Sequence, residues 1–265
     1  MSVDDAIAET VSTIEELGLS NNTYFFYSSD HGYQLGELNL PQDKRNVYDF
    51  DTRIHMVARG PGITPGSSWD APATNVDISP TFLTLAGVTP EEIDSAIDGR
   101  SFLHFILPNP TATALPQSVS ASLTRDASWR DGSASGWRKE VFIHHYRVGA
   151  QNYCSGPGSG FHFIDQEDNN FIALRTMDDS PDGALLYAEF QWSNDTDFGE
   201  GNADFNHVFF HELFNMSAEG GDKWQMHNIY DEVKETNPAL IERLHARTHQ
   251  WFNCKGHGDG DAACP

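Results

Sequence analysis

The chain reads as an α/β protein built in two parts, and three observations predict this. An amphipathic helical pattern over residues 1–20 feeds an aromatic, nearly uncharged strand at Thr23–Ser28, the alternation expected of an α/β domain. From Trp137 onward, four strand-like runs follow one another through turn-rich connections, which favours antiparallel pairing. A helix then starts at Asn237-Pro238 and carries Leu240, Leu244, Thr248 and Trp251 on one side, so it is expected to cover one face of that sheet.

Taken in order, Ser2 caps the first helix with Asp5 three residues on, as in a capping box. Val3, Ile7, Val11 and Ile14 form its apolar stripe, and Gly18 ends it. The strand Thr23–Ser28 is expected to be buried and breaks into Ser29-Asp30-His31-Gly32. A second strand-like run, Ile54–Ala58, closes into Gly60-Pro61-Gly62. Asp77 or Ser79 caps the next helix, which has Pro80 in its first turn and stops at Gly87. Asp98-Gly99-Arg100-Ser101 reads as a tight turn that could present Arg100 to a ligand. Residues 108–136 are rich in Pro, Ala, Ser, Thr and Gly and lack apolar periodicity, so they read as a linker. The later strands are expected at Val141–Tyr146, Asn170–Arg175, Leu185–Phe190 and Val208–Phe214. The predicted organisation is a first domain over 1–107, the linker, and an α+β subdomain over 137–265.

Across 265 residues, 39 acidic side chains face 16 basic ones, a net charge of −23. Nucleic acid needs a basic face and is excluded as a partner. Four basic residues nevertheless fall between Lys44 and Arg59, so a local positive patch survives the general acidity. No run of about eighteen apolar residues is present to span a membrane, and residues 1–20 lack the charged-then-apolar order of a signal peptide. The chain opens in the middle of a domain's rhythm, so it is expected to be the C-terminal piece of a longer protein.

The chemistry concentrates between Thr23 and Ile63. An open α/β sheet places its ligands beyond the carboxyl ends of its strands, where Asp30 and His31 fall. A carboxylate suits a hard divalent cation, and an imidazole adds a nitrogen donor. Lys44, thirteen residues after His31 and beside Arg45, offers a compact cation suited to an oxyanion. Metal, cation and anion together point to hydrolysis of a sulfate or phosphate ester. Each residue also has a plainer role: Asp30 as a turn or cap residue, Lys44-Arg45 as solvated surface. Of the twelve histidines, those other than His31 are read as ordinary structural residues. His144 and His145 are adjacent on a strand and face opposite ways.

These residues carry a resemblance. Ser29-Asp30-His31-Gly32-Tyr33, Asp43-Lys44-Arg45, Tyr48-Asp49-Phe50-Asp51 and Arg59-Gly60-Pro61-Gly62 together resemble the second signature of the sulfatase family, in its N-acetylglucosamine-6-sulfatase branch. Phe210-His211-Glu212-Leu213-Phe214-Asn215 resembles a strand and turn of that family's C-terminal subdomain. The resemblance implies the C-terminal part of an alkaline-phosphatase-like α/β domain, followed by a small antiparallel sheet with a packed helix. It implies Asp30 and His31 in a calcium site, and Lys44, with Arg45 beside it, as the binder of the substrate sulfate. His31 stands where the closest branch has Asn, and His55 where the family usually has Pro. The implied partner is a sulfated carbohydrate, and the implied location is secreted or lysosomal. In an oxidising compartment Cys254 and Cys264 would pair, as two cysteines do at the end of that branch. Glycosylation triplets at Asn21, Asn194 and Asn215 agree with secretion. The family's nucleophile is a formylglycine made in a C/S-x-P-S-R signature, and neither Cys154, Cys254, Cys264 nor any serine stands in one. Taken alone, the chain is therefore expected to be inactive. Two other readings stay open: a pseudoenzyme or sulfated-glycan binder, and a metal-dependent phosphatase of the same superfamily.

Overall fold

The computed structural model describes residues 2–40, 44–89, 92–107, 119, 137–146, 169–192, 203–256 and 264. The expected linker, apart from Val119, lies outside them, as do Cys154, Asn194 and Asp43 of the Asp-Lys-Arg triplet. Two compact units divide the chain: residues 1–30, 55–137 and 255–263 in the first, residues 31–54, 138–254 and 264–265 in the second.

The first unit opens with helix α1, Ser2–Glu16. Gly18 ends it at φ +70°, with Leu19 N–H donating to the Ile14 carbonyl and Gly18 N–H to that of Glu15. That pair of bonds is a Schellman closure, for which glycine suits the left-handed position. Of the expected stripe, Val11 and Ile14 are half-buried, whereas Val3 and Ile7 are exposed. Strands β1, Phe25–Ser28, and β2, Met56–Arg59, pair antiparallel with Phe25 opposite Arg59. The sequence leads one to expect a buried β1; in the structure it is half-buried, and Tyr27 is exposed. Among the described residues β1 has one partner strand, and its Phe26 ring packs on Phe82 at 5.1 Å.

Helix α2, Ile78–Leu85, follows a 3-10 turn at Asn75–Asp77. Asp77 stands at the helix's N-cap position, as one of the two expected residues, but makes no side-chain cap bond there. Its carboxylate instead serves the 3-10 turn, where Thr74 is the cap and Asp77 accepts the Thr74 N–H at 2.8 Å. The second carboxylate oxygen of Asp77 accepts the Arg100 N–H, so this buried acid also holds the Asp98–Ser101 turn. That turn needs its glycine, because a Cβ on Gly99 would lie 2.0 Å from the Val76 carbonyl oxygen.

The second unit is a four-stranded antiparallel sheet in chain order: β3, Glu140–His145; β4, Asn170–Thr176; β5, Leu185–Gln191; β6, Phe210–Asn215. Both faces of the central strands are covered, which is why β4 and β5 read as near-continuous apolar runs. On one face Phe171, Ala173, Leu186, Ala188, Phe214 and Met216 pack with Val47. On the other, Leu174, Leu185, Tyr187 and Leu213 pack with Tyr230, Ile241 and Leu244. Those last three belong to helices α3, Tyr230–Thr236, and α4, Pro238–Asn253. Pro238 starts α4 as expected, since a first-turn proline has no helical N–H to lose. Beyond α4, Cys254 is bonded to Cys264.

Candidate functional site

The unit division falls between Asp30 and His31, so Asp30 is described with the first unit and His31, Lys44 and Arg45 with the second. Asp30 follows the end of β1 and is exposed. Its backbone carbonyl accepts the Asn75 side-chain amide at 3.0 Å, and Ser29 Oγ lies 3.4 Å from its carboxylate. An exposed carboxylate at a strand end has the chemistry a hard cation accepts. His31 fits such an ion less well: its Nδ1 is 2.6 Å from the neighbouring Gly32 carbonyl and is occupied there.

In the second unit, residues 31–40 and 44–53 are tied together by Asp51, which is 3% exposed. Its carbonyl accepts the Gly32 N–H at 2.7 Å, and the Phe50 carbonyl accepts the Tyr33 N–H at 2.8 Å. The Asp51 carboxylate accepts the Asn46 N–H at 2.7 Å. One buried acid thereby ties the His31-Gly32 turn to the segment that follows Lys44 and Arg45. Lys44 is exposed, Arg45 is half-buried, and the Arg45 carbonyl accepts the Asn169 amide at 2.8 Å.

This segment is anchored on the sheet. Val47, 1% exposed, enters the core described above. The Tyr48 hydroxyl donates to Glu212 Oε1 at 2.9 Å, and its ring meets Phe214 edge-on. The Asp49 N–H donates to Gln225 Oε1 at 2.8 Å, and Phe50 stacks on Trp224. Burial pushes the Glu212 carboxyl above its ordinary range, and the Tyr48 hydrogen bond opposes that rise. Burial pushes the Tyr48 hydroxyl up as well, with the Glu212 charge adding to it. Arg175, on the same sheet face as Phe171 and Ala173, is pulled down by burial and held up by Asp49.

Tyr48→Phe should therefore cost about 1–3 kcal/mol, because it leaves Glu212 Oε1 buried without its donor. Glu212 has its folded pKa raised, so its contribution is full below the unfolded carboxylate pKa and is lost as pH rises through the folded one. The Tyr48→Phe penalty should accordingly be larger at neutral pH than near pH 4, read from urea midpoints at the two values. An equal penalty at both would rule out this role for Tyr48.

The sequence pattern leaves Val47, Glu212, Gln225 and Asn169 without a role, since each acts across more than a hundred residues of chain. Further residues come together on the other face. Glu189 of β5 lies within hydrogen-bonding distance of His245 and His249 of α4. The two histidines read as structural in the sequence; their signal was a four-residue spacing on a helix.

Residues 1–88 match the family model described as Sulfatase. The chain is similar to the N-acetylglucosamine-6-sulfatase of Bos taurus, with 30% identity over 266 residues, covering 97% of this chain and 39% of that protein. The protein of the same name from Homo sapiens is also 30% identical, with 97% and 40% covered. An N-acetylglucosamine-6-O-sulfatase of Bacteroides thetaiotaomicron is 33% identical over 153 residues, covering 57% and 23%. The chain thus spans about two fifths of the length of the first curated relatives it matches. Among solved structures, one titled for the metabolism of multiple glycosaminoglycans by Bacteroides thetaiotaomicron superposes with a TM-score of 0.59 at 18% identity, covering 92% of this chain and 40% of that one. That likeness speaks to the fold, an α/β arrangement with the antiparallel sheet and its helix.

Proposed function

We propose, on the premise that this chain belongs to the sulfatase family, that it supplies part of a site hydrolysing sulfuric esters of glycans, N-acetylglucosamine 6-sulfate groups first among them. The observation that supports this best is the double use of buried Asp51, whose backbone carbonyl holds the His31-Gly32 turn while its carboxylate holds Asn46 beside Lys44 and Arg45. A segment fixed at Val47, Tyr48 and Asp49 while Lys44 stays exposed is what an anion-binding cation requires.

Lys44 is assigned to the sulfate oxygens, as a point charge with three rotatable donors. Charge grows on the ester oxygen as the alcohol leaves, and a preset cation stabilises that change. Arg45 is assigned a supporting place in the same anion contact. Asp30 is the residue whose chemistry fits calcium, and His31 shapes the turn beside it. When bound, that ion would neutralise part of the sulfate charge. The nucleophile would have to be a formylglycine, for which this sequence has no C/S-x-P-S-R signature. The Cys254–Cys264 bond supports an oxidising location, secreted or lysosomal. No helix among the described residues is long and apolar enough to cross a membrane.

The test is release of inorganic sulfate from N-acetylglucosamine 6-sulfate. A protein extended to the full span of the relatives should release it, and the 265-residue chain alone should not. Release of phosphate but not sulfate by the extended protein would overturn the reading. Tight binding of the sulfated sugar without turnover would replace it with a glycan-binding role.

A further inference from the structure

The carboxylate of Glu189 is fully buried between β5 and α4. Three donors converge on it. His245 Nδ1 lies 2.7 Å from Oε1, His249 Nε2 lies 2.8 Å from Oε2, and the Tyr187 hydroxyl donates to Oε1 at 2.7 Å. The two histidines sit one helical turn apart, with ring centroids 4.2 Å from each other. One ligand atom from each of Glu189, His245 and His249 falls within 4.8 Å of the other two.

We propose that Glu189, His245 and His249 bind one zinc-class divalent cation, which clamps α4 to the four-stranded sheet. Two imidazole nitrogens and one carboxylate oxygen form a borderline donor set that suits zinc and its first-row neighbours. Calcium, which asks for six or more oxygens, is not served by it. Without an ion, the buried carboxylate is met by one ring nitrogen from each imidazole and by the Tyr187 hydroxyl. A single dication would take the two ring nitrogens and a carboxylate oxygen as direct ligands.

The geometry is close to what is required. Ligand atoms about 2.0–2.1 Å from zinc in a tetrahedron stand about 3.3 Å apart. The two histidine contacts fall on different carboxylate oxygens, and the candidate ligand atoms lie within 4.8 Å of one another, so binding asks the exposed imidazole to shift toward the ion. His245 is 52% exposed, which leaves freedom for that adjustment and an open fourth position for water. Tyr187 supplies the outer hydrogen bond that orients a ligating carboxylate. Burial alone would raise the Glu189 carboxyl, but hydrogen bonds from His249, Tyr187 and His245 outweigh it and keep the group below its ordinary range, ready as an anion. The cluster lies on the sheet face that carries Leu174 and Leu213, opposite the one that receives Val47.

The test uses the full chain, stripped with a chelator and titrated with zinc by calorimetry and with cobalt(II) by visible absorption. The expected result is one ion per chain, an intense tetrahedral cobalt spectrum and a raised melting temperature. His245→Gln, at a half-exposed position, should weaken zinc binding by at least about 10-fold. His55→Gln, at an exposed residue of the other unit, should leave binding unchanged. Absence of saturable one-to-one binding in the unsubstituted chain would overturn the site. So would a His245→Gln chain that binds zinc as tightly as the parent, or a weak six-coordinate cobalt spectrum.

Discussion

Lys44→Ala is expected to lower kcat for sulfuric ester hydrolysis by about 100- to 1000-fold in the full-span protein, the effect of removing one preset donor from a developing negative charge. The main anchors of the segment lie elsewhere. The segment is anchored by Val47 in the core, by the Tyr48 hydroxyl on Glu212 and by the Asp49 N–H on Gln225, none of which involves the Lys44 ammonium. Turnover should therefore fall far more than melting temperature. Lys44→Arg should recover little, because a planar fork does not reproduce a compact ammonium. Undiminished turnover in Lys44→Ala would remove this residue from the site. A parallel loss of stability would make it a packing residue instead.

Gly32→Ala should be nearly as damaging, by a different route. The added Cβ would stand 1.9 Å from the Phe50 carbonyl oxygen and 3.1 Å from the Asp51 carbonyl carbon. Both are backbone atoms, so no side chain can swing aside. The turn must lift away, breaking the Gly32–Asp51 and Tyr33–Phe50 bonds together. Overpacking of this kind costs about 1–3 kcal/mol. The same movement would displace His31 and slacken the hold of Asp51 on Asn46. The expected result is a lower urea midpoint in the 265-residue chain and lost turnover in the full-span protein. An alanine variant that matches the parent in both would show that the close approach at Gly32 is immaterial.

Local rules carried much of the fold into the sequence. The strand runs fall within two residues of the observed ends, because β4 and β5 are apolar on both faces and are bounded by turn residues. Asn237-Pro238 marks the start of α4 for a backbone reason that needs no tertiary knowledge. Where the partner lay far along the chain, local rules gave out. Asp77 looks like a cap in sequence, yet it answers Thr74 from inside the turn while holding Arg100, and only the fold brings that loop near. The candidate site was legible as a motif, Asp30-His31-Gly32 and then Lys44-Arg45. Its support was not: Glu212 falls in a segment that resembles the family without any sign that it meets Tyr48, and Gln225 and Asn169 lie at loop positions whose composition carries no functional mark. The Glu189 cluster was hidden for the same reason, since a strand glutamate and two helix histidines more than fifty residues later carry no joint signature.

Because α3 and α4 cover the sheet face opposite Val47, the end of the chain is a roof over Leu174, Leu185 and Leu213. A premature stop before Pro238 would leave every Lys44-segment residue encoded and still bare an apolar sheet to proteases and to other chains. Such a lesion would be read out as missing protein rather than as weak catalysis, and no ligand offered to the Lys44 segment would restore it.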